Sequence, residues 1–291
     1  MQKVHPQRKN LFLLLIFIVA TTLLSACQMG PPSDRPTNED LLRAYGHLES
    51  FQTTYKDKDL NGVKTFQQCD AAVLFIHGTP GSWTTWQRYM TDGDLLSKTQ
   101  MISIDRPGFG QSTPNESVVS LAEQADAIIN MALSVHPGPF ILVGHSYGGP
   151  IQIQLAQDYP EQVKSMVILA GAINPEQHGP RWYHHLGNSW LGQLFINDRM
   201  QTAADEMLAL RENLIAQSDR YNEIDIRTTL IQGGKDWLVP PENADYAREK
   251  LPEENTEIIF LPEQNHFLPW GEYQLTKEKI IEHLGSADCR A

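Results

Sequence analysis

The chain has 291 residues, with 35 acidic residues against 23 Lys and Arg, a formal net charge of −12, and 41% apolar residues. This length and apolar content predict one large globular domain or two small ones with a sizeable core. The acidity, with no basic stretch beyond the first nine residues, argues against nucleic acid as a partner. Three cysteines without a CxxC pair indicate neither a disulfide scaffold nor a structural zinc site.

The first 27 residues have the pattern of an export signal. Lys3, Arg8 and Lys9 precede an unbroken apolar run at 11–20, and no acidic residue occurs before Asp34. A bilayer-spanning helix needs about 20 apolar residues, so this run is too short to cross a membrane comfortably.

The segment LSAC at 24–27 resembles the lipobox of bacterial lipoproteins. The resemblance implies that residues 1–26 are a signal peptide that is removed, and that Cys27 carries the lipid, with palmitate as a typical acyl chain. Gln28 rather than Asp after this cysteine resembles the outer-membrane sorting pattern of Gram-negative bacteria. The protein is therefore expected in the cell envelope, attached to a membrane through its lipid. An uncleaved membrane anchor with a chance cysteine is the alternative.

Residues 27–40 are the expected tether, because the segment GPPSDRPT at 30–37 is rich in Pro and small polar residues. Loss of residues 1–26 would remove three positive charges and no negative one, which takes the formal net charge from −12 to −15. Lipid rather than charge is therefore expected to hold the protein to the membrane. Residues 41–291 are predicted to form the folded domain.

From residue 70 onward, short β-branched runs alternate with longer helical patterns. The runs are continuously apolar, which is typical of strands in a parallel sheet that is covered by helices on both faces. The predicted strands are 72–76, 101–104, 140–143, 167–169, 229–231 and 257–260, and the predicted helices are 120–133, 150–157, 243–250 and 275–284. This alternation predicts an α/β fold with a mostly parallel, doubly wound sheet.

The interval between 169 and 229, about sixty residues, is longer than a crossover helix requires. It contains an aromatic and histidine-rich segment at 179–195 and a helical pattern at 203–214. We expect a helical cap, about residues 174–224, inserted over the carboxyl edge of the sheet. An elaborated crossover without a role in binding is the alternative.

The predicted strand 140–143 leads into the segment GHSYG at 144–148. A serine with glycine two residues before and two after fits the nucleophile elbow, where a tight strand-to-helix turn exposes the hydroxyl. The preceding apolar strand and Pro150 in the first turn of the next helix strengthen the pattern. The spacing predicts Ser146 as a nucleophile, and a glycine-rich turn with an ordinary serine is the alternative.

Four loops resemble those of the α/β-hydrolase superfamily, and the likeness extends over most of the mature chain. HGTPG at 77–81 is similar to the oxyanion loop, and DRPGFGQS at 105–112 to the DxxGxGxS loop. GGKDWLVP at 233–240 and NHF at 265–267 are similar to the loops that carry the acid and the histidine. The resemblance implies the α/β-hydrolase fold with an inserted helical cap, no cofactor, and a triad of Ser146, Asp236 and His266 in this fold's chain order.

Each of these residues has a chemical role in acyl transfer. His266 would accept the Ser146 proton as the hydroxyl attacks a carbonyl and would return it to the leaving group. Asp236 would hold the imidazole tautomer and stabilise the imidazolium. The backbone N–H groups of Thr79 and Tyr147 would form the oxyanion hole.

Other polar residues near these motifs have simpler interpretations. His77 and His145 are expected to be structural rather than proton shuttles. Glu176 is the alternative acid, because some relatives place the acid after the preceding strand. His184 and His185 are adjacent and lack a third ligand, so we predict no metal.

Four of the six tryptophans, Trp83, Trp182, Trp190 and Trp237, are expected to line an apolar substrate pocket. The alternative is that most of the tryptophans pack the cap onto the sheet. Ser146 in place of aspartate argues against haloalkane dehalogenases and epoxide hydrolases, which use a carboxylate nucleophile. We therefore predict a carboxylic-ester hydrolase that acts on a small, apolar molecule.

Two other functions stay open at this stage. A peptidase or amidase of the proline-iminopeptidase type would need carboxylates that hold a substrate amine, and the cap offers Glu206 and Glu212. A degenerate hydrolase that acts as a surface binding module is the non-enzyme alternative. No pattern addresses the oligomeric state.

Two cysteines remain beside the lipidated one. In the α/β-hydrolase topology Cys69 precedes the strand at 72–76 and Cys289 follows the last helix, so both are expected at the amino-terminal edge of the sheet, opposite the site. Outside the cytoplasm they could form a disulfide. Two free thiols are the alternative.

Overall fold

The computed structural model describes residues 37–113, 117–179, 196–286 and 289. The chain divides into two compact units, Met1–Tyr45 and Gly46–Ala291. In the first unit, helix α1 (Asn38–Ala44) begins with a capping box, in which Thr37 Oγ1 accepts the Asp40 N–H and the Asp40 carboxylate accepts the Thr37 N–H. The predicted end of the tether at residue 40 therefore falls inside a helix.

The second unit is built on one eight-stranded sheet with the order β1-β2-β4-β3-β5-β6-β7-β8. The strands are β1 (Leu48–Tyr55), β2 (Lys58–Thr65), β3 (Ala72–Ile76), β4 (Gln100–Ile104), β5 (Phe140–His145), β6 (Val163–Leu169), β7 (Arg227–Gly233) and β8 (Thr256–Leu261). Strand β2 pairs antiparallel with β1 and β4, and the other pairs are parallel. The mostly parallel sheet predicted from the sequence is confirmed.

Helices flank this sheet. They are α2 (Gln87–Met90), α3 (Gly93–Leu96), α4 (Leu121–Leu133), α5 (Gly148–Asp158), α6 (Asp198–Ser218), α7 (Glu242–Lys250), α8 (Leu268–Gly271) and α9 (Tyr273–Leu284), with short 3-10 turns at Trp83–Trp86, Pro160–Gln162, Tyr221–Glu223 and Glu253–Asn255. The cap pattern at 203–214 is part of the longer α6, which starts at the N-cap Asn197, whose side chain accepts the Met200 N–H. All predicted strands and helices after residue 70 are present, with ends shifted by a few residues.

The core lies between the sheet and these helices. Every residue of β3, β4 and β5 is buried, because these strands are central and covered. Continuous apolar runs are the sequence signature of such strands. The prediction of strands from apolar runs therefore succeeded where both sheet faces are covered.

The hairpin of β1 and β2 was missed by the sequence analysis. Strand β1 is at the edge of the sheet and buries only Leu48, so its sequence shows no apolar run. In the turn between the two strands, Lys56 has a φ of 55°, in the left-handed region that glycine usually occupies. Because the residue is a lysine, no glycine in the sequence marks this turn. Strand β2 lies inside the sheet and is mostly buried, but Asn61, Gly62 and Lys64 interrupt its apolar residues. Neither strand therefore shows the continuous apolar run on which the prediction relied.

Within the described ranges, no helix combines the length and the apolar character needed to cross a bilayer. Residues 1–36, with the predicted signal peptide and Cys27, lie outside the described residues.

Candidate active site

The loops predicted to carry the chemistry meet at one edge of the sheet. Strands β3, β5, β6, β7 and β8 run parallel, so their carboxyl ends lie on the same edge. The loops after β3, β5, β7 and β8 contain Thr79, Ser146, Asp236 and His266 respectively. A parallel sheet thus brings together residues that are far apart in sequence, at the edge where open α/β sheets bind ligands.

Ser146 occupies a strained turn between β5 and α5. Its φ is 57°, in the left-handed region that non-glycine residues rarely adopt. Three backbone hydrogen bonds hold this conformation: Ser146 N–H to Leu169 O at 3.0 Å, and Gly149 N–H and Ala172 N–H to Ser146 O at 2.9 and 3.2 Å. Strain that is held in this way is typical of functional residues.

The elbow needs glycine on both sides of Ser146. A Cβ on Gly144 would lie 1.9 Å from Gln152 Nε2, and a Cβ on Gly148 would lie 2.5 Å from the carbonyl oxygen of Ile76. A side chain at Gly144 would have to displace the Gln152 amide on α5, whereas one at Gly148 would meet the backbone itself. The glycine at 148 therefore has the stricter steric role, which allows the turn to pack against β3.

His266 and Asp236 form a buried hydrogen-bonded pair. His266 Nδ1 lies 2.7 Å from Asp236 Oδ2, and Asp236 Oδ1 accepts the N–H groups of Leu238 at 2.9 Å and Val239 at 2.8 Å. Because a carboxylate accepts, Nδ1 carries the proton. With this proton on Nδ1, Nε2 is the ring nitrogen that can accept a proton.

His145 supports this pair from beside the nucleophile. Its Nε2 lies 2.9 Å from the carbonyl oxygen of His266, so this nitrogen carries the proton and donates. Burial, followed by the nearby His266, lowers the pKa of His145 to about 3. The neutral ring therefore orients the His266 backbone without placing a charge beside the imidazole.

Ser146 and His266 both line one cavity, and no hydrogen bond joins their side chains in the part of the chain that the structure describes. Hydrogen bonds of this kind often tighten only when substrate is bound. Thr79 and Tyr147 line the same cavity. Among the described residues, neither of their backbone N–H groups donates a hydrogen bond, so both are available to an oxyanion.

The cavity has a volume of about 330 Å³ and a mostly apolar lining. Its described lining residues are Thr79, Pro80, Ser146, Tyr147, Ala172, Gln177, His178, Gly179, Ile196, Met200, Ala203, Ala204, Met207, Leu238, Val239 and His266. No Asp, Glu, Lys or Arg occurs among these described lining residues. Helix α6 contributes residues 200, 203, 204 and 207 to the wall. This i, i+3, i+4, i+7 spacing is that of one helix face, and it was not used to predict the cavity lining from the sequence.

The expected tryptophan lining is wrong where the structure describes it. Trp83 is completely buried in the core, and Trp237 is 69% exposed; neither lines the cavity. Trp83 instead starts a 3-10 turn, with its N–H donating to Asp105 Oδ1 at 2.7 Å. Trp182 and Trp190 lie outside the described residues, as do His184 and His185.

The glutamates considered as an alternative acid or as ligands for a substrate amine lie away from the cavity. Glu176 is exposed, whereas Asp236 is paired with His266. Glu206 is completely buried against Arg106, and Glu212 is on the surface with Arg211. None of these three glutamates lines the cavity. The buried pair of Arg106 and Glu206 was not foreseen from the sequence, which offered Glu206 only as a ligand for a substrate amine.

The structure joins Cys69 and Cys289 in a disulfide. Cys69 precedes the first residue of β3, so the bridge lies at the amino-terminal edge of the parallel strands. The candidate active site lies at the opposite edge.

These features together define the α/β-hydrolase fold, and this chain has that fold. Residues 71–194 match a family model described as alpha/beta hydrolase fold. The crystal structure of a membrane phospholipase A superposes with a TM-score of 0.62 and 18% identity over 94% of this chain and 99% of that chain. The Cif epoxide hydrolase from Acinetobacter nosocomialis superposes with a TM-score of 0.64 and 14% identity over 86% and 98%. Identities this low show the fold alone.

Curated proteins are similar over parts of their length. A protein named "Probable lysophospholipase BODYGUARD 2" from Arabidopsis thaliana is 25% identical over 67% of this chain and 54% of its own length. Epoxide hydrolase 1 from Caenorhabditis elegans is 27% identical over 56% of this chain and 42% of its own length. The chain thus spans about half the length of these curated relatives.

Proposed function

We propose that this protein is a serine hydrolase that cleaves carboxylic esters with an apolar acyl group. The observation that carries the proposal is the convergence of Ser146, the His266–Asp236 pair, and the N–H groups of Thr79 and Tyr147 on one apolar cavity. A nucleophile, a base with its orienting acid, and two donors are the parts that acyl transfer requires.

In the first half-reaction, Ser146 Oγ attacks the ester carbonyl carbon while its proton passes to His266 Nε2. The carbonyl oxygen becomes negative and is stabilised by the N–H groups of Thr79 and Tyr147, with help from the positive end of α5. The carbon–oxygen bond to the alcohol then breaks, and the alcohol leaves with the proton from His266. The acyl group stays on Ser146.

In the second half-reaction, water replaces the alcohol. The water gives a proton to His266 as its oxygen attacks the acyl carbon, and the proton returns to Ser146 Oγ as the carboxylic acid leaves. Asp236 stays ionised throughout and holds the Nδ1–H of His266.

The volume and the apolar lining of the cavity fit an apolar acyl group of moderate length. A methylene is similar in size to a water molecule, which takes about 30 Å³ of liquid, so about 330 Å³ accommodates roughly ten carbon atoms. Apolar side chains of α6 form one wall. We therefore expect acyl chains of roughly this length to fill the site, with shorter ones bound less tightly.

Two observations favour ester cleavage over the other chemistries of this fold. The described cavity lining holds no carboxylate for a substrate amine, because Glu206 is paired with Arg106 and Glu212 is exposed. The residue at the elbow is a serine, whereas the epoxide hydrolases with this loop layout use a carboxylate nucleophile. An aminopeptidase and an epoxide hydrolase are therefore supported less well.

Labelling with a fluorophosphonate probe tests the proposal. Folded protein should be labelled at Ser146, and the Ser146→Ala variant should lose both labelling and ester hydrolysis. Ser165→Ala is the matched control, because Ser165 is a buried serine on β6 whose hydroxyl has no partner among the described residues. A panel of p-nitrophenyl esters and aminoacyl amides should give hydrolysis of the esters. Absence of labelling in folded protein, or faster cleavage of the amides, would contradict the proposal.

We also propose that Cys27 carries a lipid that holds the enzyme to the cell envelope, on the LSAC pattern at 24–27. In bacterial cells fed a labelled palmitate analogue, the full chain should incorporate the label and sediment with membranes. Cys27→Ser should remove the label and release the protein to the soluble fraction. Sedimentation that is unchanged by Cys27→Ser would indicate an uncleaved anchor instead.

A further inference from the structure

Arg106 connects three parts of the molecule through its guanidinium group. This residue follows β4 and is completely buried. Nε donates to His77 O and Nη2 to Gly78 O, both at 3.0 Å. Nη1 donates to Gln124 Oε1 on α4 at 2.7 Å, and both terminal nitrogens bind the Glu206 carboxylate on α6, at 2.5 and 3.1 Å. All five guanidinium N–H groups are therefore used.

The contact with Glu206 comes from the cap helix. Glu206 has no exposed side-chain surface, and its Oε1 also accepts Gln124 Nε2 at 2.8 Å. The guanidinium lies 4.9 Å from the ring centroid of Tyr147. Two buried charges of opposite sign in bidentate contact hold each other in one geometry, and either charge alone would be costly at this position.

The oxyanion loop receives a second contact from the same residue. The backbone N–H of Arg106 donates to His77 Nε2 at 3.0 Å, so Nδ1 of His77 carries the proton and donates to Gly78 O at 2.7 Å. Burial, followed by the charge of Arg106, holds the pKa of His77 well below its usual range. His77 is therefore neutral, and Gly78 O accepts two hydrogen bonds that both depend on Arg106.

The orientation of this carbonyl sets the direction of an oxyanion donor. The peptide bond between Gly78 and Thr79 is trans, so the Thr79 N–H points away from the Gly78 C=O. Gly78 O faces Arg106 and His77, and Thr79 lines the cavity with Ser146. Fixing the carbonyl end of the peptide therefore aims its N–H end.

We propose that Arg106 and Glu206 are positioning residues, through which the cap helix α6 holds the Gly78–Thr79 peptide in the orientation that stabilises the oxyanion. The inference rests on the proposed function, because it requires that Thr79 N–H be an oxyanion donor. Docking of the cap and assembly of the oxyanion hole are then one event.

Two variants separate positioning from simple support of the fold. Glu206→Gln keeps the volume but replaces one acceptor oxygen with an NH₂ group, which cannot accept from Arg106. Arg106→Met combined with Glu206→Leu replaces the ion pair with apolar groups, an exchange that often preserves stability. We expect the double variant to fold, while Gly78 O loses its guanidinium donor.

Both variants should lower kcat for a p-nitrophenyl ester by about 10- to 100-fold, because loss of a whole oxyanion donor costs about 100- to 1,000-fold. KM should change less than threefold. The Ki of a trifluoromethyl ketone, whose serine adduct carries an oxyanion, should rise in parallel with the fall in kcat. Glu212→Gln is the control, with the same charge change on the exposed face of α6, and should leave kcat and Ki unchanged.

The outcomes decide between the alternatives. A folded double variant with kcat and Ki within twofold of the wild type would overturn the inference while leaving the proposed function intact. Loss of folding in both variants would assign the pair a structural role and would also overturn it. A wild-type protein that is folded but neither labelled at Ser146 nor able to hydrolyse the ester would overturn the proposed function, and this inference with it.

Discussion

At the scale of single residues, the candidate site contains side chains whose backbone conformation or pKa differs from the ordinary value for their residue type. Ser146 has a positive φ, and the space of a side chain is occupied by the Gln152 amide at Gly144 and by backbone atoms of β3 at Gly148. His77 and His145 are buried in the candidate site and carry lowered pKa values. The candidate site thus combines two neutral, buried histidines with a serine in a strained backbone conformation.

Gly148→Ala should destabilise the protein and slow the labelling of Ser146. The new Cβ would lie 2.5 Å from the Ile76 carbonyl oxygen, and two backbone segments would have to separate. Overpacking of this kind costs about 1–3 kcal/mol. Gly93→Ala is the control, because a Cβ there meets nothing within 4 Å. Urea unfolding and the rate of fluorophosphonate labelling provide the measurements; equal behaviour of the two variants would contradict the steric argument.

His283 should make the protein less stable in acid. Its ring is buried, with Nε2 against Thr229 Oγ1, and burial followed by the charge of Arg227 lowers its pKa to about 4. In the unfolded chain the pKa of this histidine is about 6.5. Between pH 6.5 and 4 the unfolded chain therefore binds a proton at His283 that the folded protein does not bind, and the free energy of unfolding falls as the pH falls.

The comparison of His283→Gln with the wild type isolates this effect. Between pH 7 and 5 the wild type should lose about 1–2 kcal/mol more unfolding free energy than the variant, since a shift of one pKa unit corresponds to about 1.4 kcal/mol. Above pH 7 the two proteins should respond to pH alike. Urea titrations at pH 5, 7 and 8 measure the difference, and parallel pH profiles over the whole range would refute it.

At the scale of elements, helix α6 packs into the core with one set of residues and lines the cavity with another. Leu210 and Leu214 are completely buried in the core, and Ala203, Ala204 and Met207 face the cavity. The same helix supplies Glu206 to Arg106. A single helix therefore contributes to the core, to one wall of the cavity and to the contacts that Arg106 makes with the loop after β3.

Ala204→Leu should shift the substrate preference toward short acyl chains. Three added carbon atoms would occupy part of the cavity of about 330 Å³. We expect kcat/KM for p-nitrophenyl octanoate to fall about tenfold or more, while kcat/KM for the acetate stays within threefold, since one methylene in a pocket is worth about 1–3 kcal/mol. Ala216→Leu, at an exposed position of the same helix, should change neither. An equal loss for both esters would show that Ala204 does not border the acyl group.

The elements also show where sequence patterns succeed. Continuous apolar runs located β3 to β7, because strands that are covered on both faces must be apolar throughout. The same kind of run located β8, although this strand lies at the sheet edge and none of its residues is fully buried. The edge strand β1 has one buried residue and was missed. Trp83 and Trp237 were placed in the pocket because their neighbours in sequence are site residues, yet one is buried in the core and the other faces solvent. Adjacency in sequence does not determine on which side of a loop a ring lies.

At the scale of the whole molecule, the two edges of the sheet have separate roles. The carboxyl edge holds the candidate site, and the amino edge holds the disulfide between Cys69 and Cys289, which are 220 residues apart. The bridge therefore ties the segment after α9 to the segment before β3, at the edge opposite the candidate site. We therefore expect the loss of this bridge to change stability without changing the candidate site.

Replacement of both cysteines, Cys69→Ser with Cys289→Ser, should lower the free energy of unfolding and leave kcat unchanged. The chain-entropy model assigns on the order of 4–5 kcal/mol to a loop of this length. Wild-type protein in reductant should unfold at the same urea concentration as the double variant, and mass spectrometry of non-reduced peptides should show the bridge. Unchanged stability, or both thiols alkylated in native protein, would contradict this prediction.

The sequence by itself determined the class of fold, the order of the parallel strands along the chain, and Ser146, Asp236 and His266 as candidates, since these depend on local patterns and on loops that follow buried strands. Only the tertiary structure decided which side chains meet: the pairing of Asp236 rather than Glu176 with His266, the alanines and methionines of α6 at the cavity, and Arg106 between Glu206 and the loop after β3. Contacts such as that between residues 106 and 206 arise from packing between distant elements. No short-range pattern encodes them, because each partner in isolation looks like an ordinary surface charge.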